Sequence, residues 1–269
     1  MILCIFPITN NSENHPKILE IFSKDIASKL NQLGANGVEI KFAGTDYIFV
    51  GLNEKRQGQQ KGEGILECLK NCASMPDIVI MCDGSGAIPY SYIIDIFQEL
   101  VSDSSVFGVM ANRGDNKAIS PARLLIEQFE VFMLKKYFNY PNDISDGQCG
   151  LWAYRTQKSY NNGESKCIKL TAKSYEIELD LLSELLEKKL RFSFVNVELP
   201  KRDVPSSFTF ENNINKMKFL LSKYPKLKRS LRSYINSFEN IDKVKEVLAD
   251  TEIKNMWERY KVEIGKIKI

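Results

Sequence analysis

The sequence predicts a layered α/β domain over residues 1–210 and a helical extension over 211–269. Three observations predict it. Short apolar runs of strand length alternate with helical patterns as far as about residue 205, the order that builds a sheet covered by helices. One of these runs, IVIMC at 78–82, is apolar throughout, as a strand buried on both faces must be. From about Asn212 onward only the helical period remains.

The elements follow in order. MILCIFPI is a strand, and the polar turn TNNSENHP follows it. The stretch lacks the basic flank and the cleavage site of a signal peptide. KILEIFSKDIASKLNQL spaces its apolar residues as a helix does and stops at Gly34. VEIKFAG and YIFVGL are short strand-like runs, and NEKRQGQQKGEG is a polar loop carrying glycines. ILECLKNCAS is a short helix that leads to the strand DIVIMCD. IPYSYIIDIFQELVS is a helix opened by a proline. VFGVMANR is a strand, and ISPARLLIEQFEVFMLKKYF is a long amphipathic helix. After DGQCGLWAYR come a short strand-like run at CIKLTA, the helix YEIELDLLSELLEKKL and the strand FSFVNVELP. Two helical stretches follow, MKFLLSKYPKLKRSLRSYINSF and VKEVLADTEIKNMWERYKVEI.

Composition narrows the class. With 269 residues, 43% hydrophobic and 26% charged, the chain can fill one large domain with an appendage. No run of 18 apolar residues occurs, so a membrane-spanning helix is not expected and a cytoplasmic location is. A formal net charge of +3 makes no case for a nucleic-acid partner. The six cysteines form neither a disulfide framework nor a CxxC pair. Cys68 and Cys72, four apart on a predicted helix, read as small buried residues of a reducing compartment or as a metal pair. The single histidine, His15, excludes His-rich metal sites and argues against a Ser-His-Asp triad.

Four stretches carry candidate chemistry. QKGEGI at 60–65 is a Lys-Gly turn entering a helix; helix N–H groups and Lys61 together suit phosphate, and a solvated loop is the plain alternative. CDGSG places Asp83 at a strand end. A carboxylate there can hold Mg²⁺ or Mn²⁺, or simply form a turn. MANRGDNKAISPAR supplies Arg113 and Arg123, whose planar forks bind phosphate, or form surface ion pairs. ISDGQCGLWAYR sets Asp146 before a glycine and a second glycine after Cys149, a pattern that an ordinary turn into a strand also explains.

Taken in series, these stretches resemble the family 2 glycosyltransferases, in particular the dolichyl- and polyprenyl-phosphate sugar transferases. QKGEGILECLKN and PDIVIMCDGSGAIP resemble the family's Lys-Gly turn, helix, and strand ending in Asp-x-Asp followed by Pro. GVMANR and SPARLLIEQFEVFML resemble its Gly-x-x-x-x-Arg strand and Arg-bearing helix. DGQCGLWAYR resembles its Asp-x-x-Ser/Cys-Gly stretch, and YEIELDLLSELLEKKLRFSFVNVELPKR its acidic helix and following strand. PKRDVPSS resembles its closing Arg…Ser-Lys element. The resemblance spans about residues 55 to 208, in collinear order.

The resemblance implies a GT-A fold, a mixed sheet with flanking helices that binds a nucleotide-sugar donor and a divalent metal, Mg²⁺ or Mn²⁺. It implies donor contacts from Pro7, Asp46, Lys61, Asp83 and Arg113, and a metal held by Asp83 and Ser85. It places Arg123, Arg202 and Ser206 at diphosphate or a phosphorylated acceptor, and Asp146 as the acceptor's base. The acceptor it suggests is a polyprenyl phosphate at a membrane surface. The departures are specific. Ser85 stands where the second acid of Asp-x-Asp belongs, and a hydroxyl is a weaker ligand for these metals. FPITNN keeps Pro7 and Asn10 but lacks the acid that should follow, and KFAGTDY offers only Asp46 for the base-binding position. Two further readings stay open: a non-catalytic GT-A domain that binds a nucleotide or a partner, and a nucleotidyltransferase, although TNNSENHP lacks the glycine-rich loop that one wants. The lysines and arginines of MKFLLSKYPKLKRSLRSYINSF form either a solvated helix face or a face for anionic lipid.

Overall fold

The computed structural model describes residues 1–7, 18, 20–35, 37–43, 60–72, 75–84, 88–113, 120–140, 149–159, 165–199 and 210–268. These form two compact units, one of residues 1–113 with 149–200 and one of 114–148 with 201–269.

The first unit is built on a six-stranded sheet. Its strands are β1 (Ile2–Pro7), β2 (Val38–Ala43), β3 (Ile78–Cys82), β4 (Gly108–Asn112), β5 (Leu151–Arg155) and β8 (Phe192–Asn196), in the spatial order β2-β1-β3-β5-β4-β8. β1 pairs in parallel with β2 and β3, and β4 with β8. β5 alone runs antiparallel, between β3 and β4. A small ribbon of β6 (Gln157–Ser159) and β7 (Ser165–Cys167) stands apart. β7 begins two residues before the expected strand at CIKLTA and shares only Cys167 with it; the remainder runs without ladder pairing. The run YIFVGL lies outside the described residues. This mixed α/β sheet with flanking helices agrees with the architecture that the sequence predicts.

Helices cover both faces, which is why the strands are apolar on both. Against Ile2, Cys4, Phe6, Ile78 and Ile80 pack a π-helical turn (Phe22–Ile26) continuing into α1 (Ala27–Gln32), together with α3 (Tyr92–Ser102). The other face carries Leu3, Ile5, Val79, Met81 and Trp152, all buried. α2 (Gln60–Lys70) packs on β1 and β2. α5 (Ile177–Glu187) lies over β4, where a Cβ on Gly108 would come within 2.9 Å of Leu185.

The second unit is helical. It holds α4 (Pro121–Phe138), α6 (Phe210–Lys223), α7 (Pro225–Glu239), α8 (Asp242–Val247) and α9 (Thr251–Gly265). α4 starts as its sequence dictates, with the Ser120 hydroxyl accepting from the Arg123 N–H and Pro121 in the first turn. Its core is an aromatic cluster of Phe129, Phe238, Trp257 and Tyr260, in edge-on and tilted contacts at 5.2 to 6.4 Å. The Tyr260 hydroxyl donates to the buried Glu130 carboxylate at 3.1 Å. Burial and that carboxylate push the Tyr260 phenol well above its usual range.

Among the described residues of this unit, one buried side chain is unsatisfied. Neither amide atom of Asn213, on α6, has a hydrogen-bond partner, and the residue is fully buried. Desolvating a polar group without a partner costs about 1–3 kcal/mol. Asn213→Leu, which keeps the number and branching of the side-chain heavy atoms and removes both orphans, is expected to raise unfolding stability in urea by about that amount. A loss of stability instead would mean that the amide contributes an interaction to the core.

Candidate functional site

Five of the six main strands run the same way, so their carboxyl ends share one edge of the sheet. Ligands of open α/β sheets sit outside that edge. β1 ends there at Pro7, whose backbone pairs with Ala43. β3 ends there in Asp83 and β4 in Arg113. β4 is two strand spacings from β3, roughly 10 Å.

Asp83 is the centre of the edge. Its backbone N–H donates to the Gly150 carbonyl at 2.8 Å, which ties the end of β3 to the residue before β5. Its carboxylate lies against the bare Cα of Gly150: a Cβ there would come within 2.1 Å of Oδ2. Gly84 follows, and its carbonyl accepts from the Tyr90 hydroxyl at 3.0 Å. The Tyr90 ring in turn meets Phe6 edge-on at 5.7 Å. The strand tip is thus braced from both sides.

The Lys61 ammonium lies 2.7 Å from Asp83 Oδ1 and also pairs with Glu178 Oε1. Lysine in the first turn of a helix opposes the helix dipole, so its place at the start of α2 is not explained by helix stability. The two carboxylates explain it. The side chains of Lys61 and Glu178 are only 10% and 6% exposed, that of Asp83 35%. Burial pulls the Lys61 ammonium down, but Asp83 and Glu178 outweigh it and hold the group well above its usual range. Two carboxylates against one ammonium leave one net negative charge, and Asp83 is the member that reaches solvent.

Glycine and acid chemistry hold this triad in register. A Cβ on Gly62 would lie 2.4 Å from the Ala172 carbonyl oxygen and 2.5 Å from the Lys173 carbonyl carbon. Only glycine lets the start of α2 come so close. The Glu63 N–H, one of the donors that a helix start leaves without an intrahelical partner, donates to the Lys173 carbonyl at 2.9 Å. From the other side Asp180 Oδ2 accepts from the N–H groups of Thr171 and Ala172 at 2.5 and 2.8 Å. The segment before α5 is therefore clamped between α2 and α5, and Glu178 is aimed at Lys61.

The sequence-derived candidates divide as follows. Lys61 and Asp83 come together in direct contact. Arg113 is half-buried at the same edge. Arg123 lies in the helical unit, where its Nε donates to Glu127 Oε1 at 2.8 Å on its own helix. Asp46, Ser85, Asp146, Arg202 and Ser206 lie outside the described residues. Glu178 and Asp180 were not singled out in the sequence, and Gly62 and Gly150 were read as turn glycines rather than as points of close approach. A signal existed for the acids: α5 is buried on every side, so acids within it must have partners.

Among the described residues, no group of three or more His, Cys, Asp or Glu side chains is placed to hold a metal ion. Cys72 instead donates its thiol to the Cys68 carbonyl at 3.2 Å. The residual negative charge at Asp83 suits a cation that takes one protein carboxylate and draws its other ligands from phosphate and water, the habit of Mg²⁺.

No protein-family model matches the sequence, and a comparison with curated proteins finds no significant match. Solved structures that resemble the fold include three sugar transferases. Glucosyl-3-phosphoglycerate synthase from Mycobacterium tuberculosis, in complex with Mn²⁺ and UDP-glucose, is 14% identical, with 82% of this chain and 78% of that chain covered and a TM-score of 0.49. A mannosyltransferase from Pyrobaculum calidifontis, in complex with GDP-Man and Mn²⁺, is 11% identical, covering 98% and 84%, at 0.49. Mannosyl-3-phosphoglycerate synthase from Rubrobacter xylanophilus is 10% identical, covering 86% and 75%, at 0.46. Likeness of this degree carries no argument about what this chain does.

Removing the ammonium takes a buried charge partner from both carboxylates. Lys61→Met is expected to cost about 3–5 kcal/mol in urea unfolding, as for other broken buried pairs. The double variant Lys61→Met/Glu178→Met should regain more than half of that; equal loss in both would refute the pairing as the cause. Because the Lys61 pKa is raised in the folded state, its contribution is whole below the ordinary lysine range and is lost as pH climbs through the raised value. Gly62→Ala, which meets backbone, and Gly150→Ala, which meets the Asp83 carboxylate held by Lys61, should both lose stability in urea unfolding.

Proposed function

We propose that the chain transfers a sugar from a nucleotide-diphosphate donor to an acceptor oxygen. One observation carries the reading. Four stretches of the glycosyltransferase resemblance, widely separated in sequence, meet within a few ångströms: Lys61 and Gly62 of the Lys-Gly turn, Asp83 of the acidic motif, Gly150 of the DGQCG stretch and Glu178 of the acidic helix. A set of unrelated turns would have no reason to converge there.

In this reading the donor's diphosphate lies along the sheet edge between Asp83 and Arg113. Bound Mg²⁺ or Mn²⁺ supplies positive charge to the departing diphosphate. The triad fixes where the Asp83 carboxylate stands, because the Lys61 ammonium is held by Glu178 as well as by Asp83. Arg113, with Arg123 and Arg202, supplies donors for phosphate oxygens. The acceptor oxygen forms its bond to the anomeric carbon as the bond from that carbon to the diphosphate oxygen breaks, and a nucleoside diphosphate leaves. A single displacement inverts the anomeric centre. A hydroxyl acceptor gives its proton to Asp146. A phosphate acceptor, such as a polyprenyl phosphate, is already anionic and requires positioning more than a base. The helical stretch from residue 211 onward is the extension of this GT-A domain. Ser85 in place of the second acid favours one alternative, a domain that binds the nucleotide without turning it over.

The test is thermal stability with UDP-, GDP-, CDP- and dTDP-sugars, with and without Mn²⁺, for the wild type and Asp83→Asn. A ligand present at a hundred times its Kd adds about 2.7 kcal/mol of stability. One nucleotide is expected to raise the Tm in a Mn²⁺-dependent way, and Asp83→Asn to abolish that dependence. Release of nucleoside diphosphate in the presence of acceptor separates a transferase from a binding module. No shift with any of the four would sink the reading.

A further inference from the structure

The segment from Asn212 to Phe238 holds seven lysines and arginines and no acid. The helical unit gathers the exposed ones at one place. On α7, Lys226, Arg229 and Arg232 recur every third residue and are all exposed, while Leu227, Leu231 and Phe238 are buried in the unit's own core. Among the described residues no carboxylate pairs with these three. Lys228 reaches the Ile267 carbonyl at 2.5 Å, which sets the first turn of α7 beside the end of α9. That end adds Lys266 and Lys268, both exposed. Lys218, exposed on α6, joins them: the Glu263 carboxylate is held below its usual range first by its hydrogen bond from Lys266 and, more weakly, by Arg259 and Lys218. Glu263, already paired with Lys266 at 2.8 Å, is the acid that faces this cluster. Val262, one turn before Lys266, is 54% exposed.

We propose that this basic end of the helical unit docks on an anionic phospholipid surface. A charge stripe alone is also what a solvated helix has, but here the basic start of α7 and the basic end of α9 lie together, and an anionic surface relieves the repulsion between like charges so placed. Adsorption is electrostatic rather than insertive, because the apolar face of α7 is already used. Val262 suits the boundary of headgroups and acyl chains and gains nothing from a phosphodiester backbone. Single-stranded nucleic acid is bound with stacked aromatic rings, and among the described residues no large exposed apolar side chain is aromatic. No described helix is long and apolar enough to cross a membrane, so contact through this face is peripheral. The inference stands independently of the sugar-transfer reading.

The test is co-sedimentation of the full chain with vesicles of phosphatidylcholine alone and with about 30% phosphatidylserine, at low and raised salt. Binding is expected only with phosphatidylserine and is expected to weaken with salt. Lys226→Gln/Arg229→Gln/Arg232→Gln should weaken it about a hundredfold, given the usual contribution of each basic residue near such a surface. Lys29→Gln/Lys254→Gln, on other exposed positions, should leave it within about twofold. Unchanged melting temperatures of the variants exclude misfolding. No binding to phosphatidylserine vesicles, equal binding to phosphatidylcholine, indifference to the triple substitution, or tighter binding to duplex DNA at the same salt would each overturn the proposal.

Discussion

A buried ammonium shared by two carboxylates organises the edge of the sheet. Lys61 can be where it is only if Asp83 and Glu178 both face it, because an isolated charge at that depth is far too costly. The requirement propagates outward. Asp83 must turn over Gly150, Gly62 must touch the 172–174 segment, and Asp180 must hold that segment's N–H groups. The ends of β3 and the starts of β5, α2 and α5 are fixed together by groups that can each be named.

That mutual fixing suits a site for an anion with a companion cation. A carboxylate on a free loop would have to be ordered when ligand arrived, at a cost in affinity. Here the ordering is done by folding, and the remaining negative charge sits on the one member of the triad that solvent reaches. The buried thiol of Cys82, pushed well above its usual range by burial and by the Asp83 charge, is inert beneath it. The chemistry of the edge therefore belongs to oxygen and nitrogen groups, not to sulfur.

Much of this was legible in the sequence, for physical reasons. The apolar run Ile78–Cys82 could only be an interior strand, and an aspartate directly after it had to emerge at an edge. The amphipathic stretch ISPARLLIEQFEVFMLKKYF announced α4, and the helical period from Asn212 onward announced α6 to α9. What stayed hidden was partnership. Periodicity says that α4 has an apolar face, but not that this face meets Phe238 and Trp257 about a hundred residues later. A lysine before a glycine reads as a phosphate-binding turn; that its charge is spent inward on Glu178 depends on a contact between residues 117 positions apart. The glycines at 62 and 150 look like turn residues, whereas their role is to let two pieces of chain touch. In the same way, a helix buried on every side told little by its apolar residues and much by its acids.

The antiparallel course of β5 beside β4 has an outcome in time as well as in space. The chain leaves the sheet at Arg113 and returns at Cys149 next to the point of departure, so the ladder of the sheet is complete without residues 114–148. α4, made during that excursion, carries Phe129 and Glu130, whose partners Trp257 and Tyr260 are synthesised more than 120 residues later. Contacts so distant along the chain form slowly. During synthesis the sheet can be assembled while an apolar helix surface still waits for its cover, and in that interval the newborn chain is most exposed to aggregation.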